Sequence, residues 1–319
     1  MRRPRLWCLG LAGCLTVGWV QAQTNSIVLF STGFEAAEGY NLAYTLRDQN
    51  LWTGEGSGGN GLVTNYFAGQ GQQAFIGYFA PTGQDTFLSL WRPINYTPPA
   101  QPPVRVQFSV QMSIIDSTTG FYDDFRWSVY NQLGQRLFSL NFNNADLHLY
   151  YSLNDTNGFI ATGQSFAVND LYDLTLTMDF GRNQWSATLE QTPLVTNLPI
   201  ATTSAELTLG DVDAVWVLGD PAMAGDNYMV FDNYRVLVTE LPPPAPPSLK
   251  PGSYLPTAGF VLQAIAQPSQ TLVLEFSNNL KLWTPLRTNT VDASGRLDLW
   301  DATAAGQPLR FYRTRLLSP

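Results

Sequence analysis

The chain has 319 residues and a formal net charge of −8, with 45% hydrophobic and only 13% charged residues, a balance that supports a packed core and excludes wholesale disorder. The length suggests two domains or one large one. Neither lysine, Lys250 or Lys281, sits in a Gly-Lys-Ser/Thr phosphate loop, the single histidine (His148) cannot build a two-histidine zinc site, and the excess of acids argues against a nucleic-acid partner.

In chain order, Arg2, Arg3 and Arg5 precede the apolar stretch from Leu6 to Val20. Val20-Gln21-Ala22 then places small residues where a signal peptidase requires them, so residues 1–22 are expected to be a secretory signal peptide. The apolar run is shorter than the roughly 20 residues of a membrane-spanning helix. A competing reading takes Leu11-Ala12-Gly13-Cys14 as a lipobox with Cys14 acylated, although Leu15 to Val20 stays apolar where lipoprotein tethers turn polar. Both cysteines, Cys8 and Cys14, lie in this leader. The mature chain is therefore expected to be secreted or held at the cell surface, without disulfides, thiolate chemistry or cysteine metal sites.

Residues 23–240 read as strands nearly throughout. Phe108, Val110 and Met112 alternate with polar neighbours, as do Phe125, Trp127 and Val129; Phe138, Leu140 and Phe142; Leu147 and Leu149; Leu174, Leu176 and Met178; and Trp185, Ala187 and Leu189. A period of two buries one face and wets the other. Turn residues such as Asn131-Gln132-Leu133-Gly134 and Gly181-Arg182-Asn183 separate the runs. No long stretch holds a helical period, so the fold class is all-β, a two-sheet antiparallel sandwich. The Pro98–Pro103 cluster reads as a loop between strands, and Trp52 and Trp91 as plugs at the ends of the sandwich or rims of its face. The proline-dense run from Leu241 to Pro247 marks a semi-rigid linker (241–251) before a second, smaller domain at 252–319.

The segment Asp179-Phe180-Gly181-Arg182-Asn183-Gln184-Trp185-Ser186-Ala187-Thr188-Leu189, with the opening Gly33–Tyr40 and the closing Phe231–Val236, resembles concanavalin A-like lectin/glucanase (laminin-G-like) jelly rolls. The resemblance covers most of residues 27–238. It implies a structural calcium ion between the first and last strands, held by Glu35 and Asp232 with Glu38 and Asp226 nearby. Leu274 to Leu286, with its S-x-N-L-x-x-W-T-P-L pattern, is similar to small C-terminal β-modules that close large exported bacterial proteins. That similarity implies about five short strands in a fibronectin III-like sandwich.

If the apolar members of these runs point inward, Arg126, Tyr130, Asn141, His148 and Tyr150 point outward together. Such a row combines aromatic platforms with planar hydrogen-bonding groups, which suits the apolar C–H face and hydroxyl rim of a sugar; it is equally the composition of an ordinary half-wet sheet. The glucanases of the resembled family carry catalytic acids as E-x-D-x-x-E, and none of the seven glutamates stands in that arrangement. Asp211 and Asp213 share a face but read as a strand start, and no G-x-S-x-G accompanies His148. The expectation is a non-catalytic carbohydrate-binding protein with a polysaccharide or cell-surface glycan as partner. The alternatives are a structural or adhesive domain and a hydrolase with unrecognised catalytic residues.

Overall fold

The computed structural model describes residues 25–155, 158–220, 222–241, 246–255, 259–267, 270–292 and 294–317. The leader 1–22, with Cys8 and Cys14, lies outside the described residues. The chain divides into two compact units between Pro242 and Pro243. Among the described residues the helical segments are three single 3-10 turns, and no helix is long and apolar enough to cross a membrane.

The first unit contains β1 (Ser26–Thr32), β2 (Thr53–Gly56), β3 (Asn60–Thr64), β4 (Gln72–Gly77), β5 (Phe87–Trp91), β6 (Val104–Ile115), β7 (Asp124–Tyr130), β8 (Arg136–Asn143), β9 (His148–Leu153), β10 (Ile160–Ser165), β11 (Tyr172–Asp179), β12 (Gln184–Leu189), β13 (Thr192–Pro199), β14 (Asp211–Val217) and β15 (Tyr228–Glu240). They form two antiparallel sheets. One runs β13-β12-β11-β6-β15-β4-β3, with β1 also on β15; the other runs β10-β9-β8-β7-β14-β5-β2.

Alternation fixes which side of each strand is buried. Phe125, Trp127 and Val129 on β7 stand opposite Phe142, Leu140 and Phe138 on β8, and all six are fully buried. They meet Phe108, Val110 and Met112 of the facing sheet in one core. Aromatic rings tie the sheets together: Phe138 stacks on Trp185 at 4.0 Å, and Phe108 lies 5.1 Å from Trp127. Trp52 is a core residue, donating from Nε1 to the Tyr40 hydroxyl at 2.9 Å.

β15 changes phase once. Its register slips between Asp232 and Arg235, where Asn233 takes a left-handed φ of 52°. This bulge lets both Phe231 and Tyr234 enter the core, which strict alternation over three positions forbids. The hairpin from Asp179 to Trp185 is likewise a local folding device. Asp179 Oδ1 accepts from the Arg182 N–H, Asn183 turns the chain at φ 53°, and Trp185 is buried.

The second unit has six strands: β16 (Ser248–Leu255), β17 (Gly259–Ile265), β18 (Thr271–Ser277), β19 (Thr284–Thr290), β20 (Arg296–Asp301) and β21 (Phe311–Leu316). They form two three-stranded antiparallel sheets, β16-β17-β20 and β19-β18-β21, around Leu262, Ala264, Leu272, Leu274, Val291 and Leu299.

Candidate binding groove

The outer face of the β10-to-β2 sheet carries a groove of about 780 Å³. Cross-strand register explains why a depression forms there. Asp213, Ser128, Ser139 and Ser152 stand in line across β14, β7, β8 and β9. Three of these four residues are serines, and Ser128 and Ser139 share a 2.7 Å hydrogen bond. Short side chains make the floor, and larger ones flank it. On one side the next row is Asp211, Tyr130 and Arg136; on the other it is Val215, Arg126, Asn141 and Tyr150. Trp91, Phe87, Glu55 and Ser89 extend the lining onto β5 and β2, and Phe159 lines the end beyond β9.

The five residues read from the sequence as one face separate here. Arg126 and Tyr130 line the groove. Asn141 is buried, at 2% exposure, and supports Arg126 from behind: its Oδ1 accepts from Arg126 Nε at 2.7 Å, while its Nδ2 donates to Asp124 Oδ2 at 3.1 Å. His148 and Tyr150 do project outward from β9 but lie outside the groove lining. Both are engaged with Asp146, Tyr150 through a 2.6 Å hydroxyl donation to Oδ2 and His148 through its Nδ1 at 2.7 Å from the backbone oxygen. Trp91, read as a plug or rim, lines the groove.

Asp211 and Asp213, read from the sequence as a strand start, do open β14 and also line the groove. Val212 points into the core, so Asp211 and Asp213 both face outward from β14. Asp213 is only 4% exposed. Ser89 Oγ donates to its Oδ2 at 2.7 Å, and its Oδ1 has no partner. Burial, reinforced by the charge of Asp211, pushes Asp213 well above the usual carboxylate range. Burial also pushes Asp211 up to about 6, and a hydrogen bond from Asp213 works against that rise. Asp213 is therefore the member that keeps its proton. Burial followed by the Asp213 charge raises the neighbouring Tyr130 hydroxyl to about 12, keeping it a neutral donor. The i, i+2 spacing of the two aspartates was the available signal. It cannot tell a shared outer face from a groove floor, because the depression is made by the serines of other strands.

Glu35 and Asp232, the residues implied for calcium, come together at the start of the chain and the β15 bulge. The Gly33 backbone lies between their side chains. Both Asp232 oxygens and one Glu35 oxygen are hydrogen-bonded to protein donors. Asp232 Oδ2 accepts from Gln73 Nε2 at 3.2 Å and Oδ1 from Asn233 N at 2.6 Å; Glu35 Oε1 accepts from Gln72 N at 3.1 Å. Glu38 Oε2 takes three donors, from Thr32 Oγ1, Gly33 N and Glu35 N. Gly71, at φ +75°, leaves room for Glu35 where any Cβ would collide with its carboxylate. Asp226 accepts instead from Ser117, Thr118 and Thr119. Among the described residues no group of three or more His, Cys, Asp or Glu is placed to hold a metal ion. The residues as placed form a hydrogen-bonded clasp and do not fit a calcium cage, which needs six or more oxygens turned toward one point.

No family model matches the chain, and no curated protein matches it. Solved structures similar to it include a seed lectin of Lotus tetragonolobus (10% identity, 68% of this chain and 100% of that chain, TM-score 0.46). Others are arcelin-5, a lectin-like defence protein from Phaseolus vulgaris (9%, 69% and 100%, 0.43), and a sialidase (7%, 58% of this chain and 17% of the sialidase chain, 0.42). At these values the likeness carries nothing about function.

Proposed function

We propose that the first unit binds carbohydrate in the groove across β5, β14, β7, β8 and β9, and that the protein does so after export, at or outside the cell surface. The observation that carries this reading is the groove itself: a serine-floored channel with aromatic sides at Trp91, Tyr130 and Phe159 and hydrogen-bonding groups at Arg126, Asp211 and Asp213. A pyranose needs apolar faces to stack on and planar or charged groups for its hydroxyls, and both are present within one cavity of ligand size. The leader at 1–22 supports export.

The test is retention on a panel of soluble polysaccharides, measured by affinity electrophoresis. Trp91→Ala and Tyr130→Ala are each expected to weaken retention about tenfold, the loss of roughly 1–2 kcal/mol of stacking. Tyr150→Ala, outside the groove, is expected to leave it unchanged. Unaltered retention in both groove variants would remove the site.

One observation favours a second reading. A carboxyl displaced to about 6 beside a second acid and near Glu55 is the equipment of acid–base catalysis. Release of reducing ends from the retained polysaccharide, abolished by Asp211→Asn, would establish hydrolysis. Silence across the panel would leave binding alone.

A further inference from the structure

The β7–β9 end of the groove holds two cations with no ion pair to either among the described residues, although one acid, Asp155, also lines that end. Arg126 and Arg136 both line it. Among the described residues no carboxylate lies within the 4.0 Å ion-pair limit of either guanidinium. Their partners are neutral. Arg136 donates from Nη1 to Ser152 Oγ at 2.6 Å and Ser139 Oγ at 3.3 Å, and from Nη2 to the Leu153 carbonyl at 2.9 Å. Arg126 donates from Nε to Asn141 Oδ1, and its plane lies over Phe159, 4.6 Å from the ring centroid. The amide of Asn141 sits between this guanidinium and Asp124, so the nearest acid is held one residue back. The two Nη groups of Arg126, the prongs that grip a planar anion, have no acceptor among the described residues. Burial makes the Arg126 cation harder to hold; the charge of Asp124 works against that, and like-charge repulsion from Arg136 adds to it.

A partly desolvated cation with no carboxylate in direct contact is costly, and an arginine locked in position by an amide and an aromatic face is pre-organised for an anion. We infer that this end of the groove is a receptor for the anionic substituent of a charged glycan, the carboxylate of a uronic acid or a sulfate ester, gripped by Arg126 with Arg136 beside it. The inference rests on the groove reading above and narrows it to acidic polysaccharides. At the other end, Asp211, Asp213 and Glu55 repel a second anion and accept from hydroxyls, so the ligand carries its charge at one end of the bound stretch. A chain of net charge −8 has no general affinity for polyanions, so retention of one reports a local site.

The experiment compares three polymers of related backbone on the whole protein: polygalacturonate (carboxylate), carrageenan (sulfate) and neutral galactan. Affinity is measured by titration calorimetry at 50 and 500 mM NaCl. At least one charged polymer is expected to bind ten times or more tighter than galactan at low salt, and to lose that margin at high salt. Which polymer shows the margin identifies the anion. Arg126→Gln is expected to abolish the margin, weakening the charged polymer at least ten times more than it weakens galactan. Arg136→Gln, checked for unchanged melting temperature, is the second variant should the first fail to fold. Equal affinity for all three polymers, or a margin that survives in a folded arginine variant, overturns the inference and leaves the groove reading intact. Binding of none of the three, together with none of the wider panel, overturns the groove reading and this inference with it.

Discussion

Two groups of acids in the first unit stand in opposite condition. At the β15 bulge, Asp232, Glu35 and Glu38 are supplied with N–H and O–H donors from five different residues besides Glu35 itself. In the groove, Asp213 has a single donor, Ser89, and an oxygen left over. The first arrangement ties the start of the chain to the last strand and gives each acid at least one protein donor. The second is short of partners and faces a cavity. Carboxylates that the fold satisfies serve the fold, and those it leaves short, with open space in front, are where a ligand can contribute.

The comparison can be broken most severely at the clasp. Asp232→Ala takes one of the two acceptors of the buried Gln73 Nε2, leaving only the Gln70 carbonyl, and removes the acceptor for Asn233 N, and is expected to cost about 2 kcal/mol in urea unfolding with an unchanged m-value. A loss below half a kcal/mol would mean that the clasp is ornamental.

The groove pair should respond in the opposite sense. Because Asp211 titrates near 6 in the native state and near 3.8 when unfolded, the folded chain binds more protons between those values. Its contribution to stability is thus fully present below about 4 and is lost as pH rises through about 6. Asp213→Asn keeps a neutral donor at the same place and removes the penalty of ionising two buried neighbours. It is expected to raise the melting temperature at pH 7 by about 3 °C and to flatten its dependence between pH 4 and 7. A lower melting temperature at pH 7 would mean that Asp213 is ionised and needed so.

The smallest expected effect is none. Because each clasp acid already holds at least one protein donor, EDTA is expected to leave the melting temperature unmoved. A fall of several degrees that calcium restores would show that the clasp rearranges around an ion.

The period of two along Phe125, Trp127 and Val129, and along their counterparts at 108–112 and 138–142, is enough to read an antiparallel sandwich from the sequence, because alternation records a property of each strand by itself. The boundary between the two units was legible for a similar reason, prolines dictating backbone conformation locally, but Ser248–Pro251, read as the end of a linker, open β16. The Asp179–Leu189 segment stands out in the sequence because its residues cap, turn and plug one hairpin. That is also why it says nothing about a ligand.

The site was legible only in part. Arg126 and Tyr130 were legible as outward-facing because the outer positions on β7 follow from β7 alone, and both line the groove. His148 and Tyr150 were grouped with them because one-dimensional alternation cannot see that their row leads past the groove to Asp146.

The amino-acid sequence by itself determined the all-β class, the inward set of aromatic residues and the break at the prolines, since each depends on neighbours along the chain. Tertiary structure alone decided that Ser128, Ser139 and Ser152 align into a floor, that Asp213 loses its water beside Asp211, and that Arg126 and Arg136 face each other with no ion pair to either among the described residues. Each of these depends on register between strands distant in sequence, and electrostatic energy depends on distance through space.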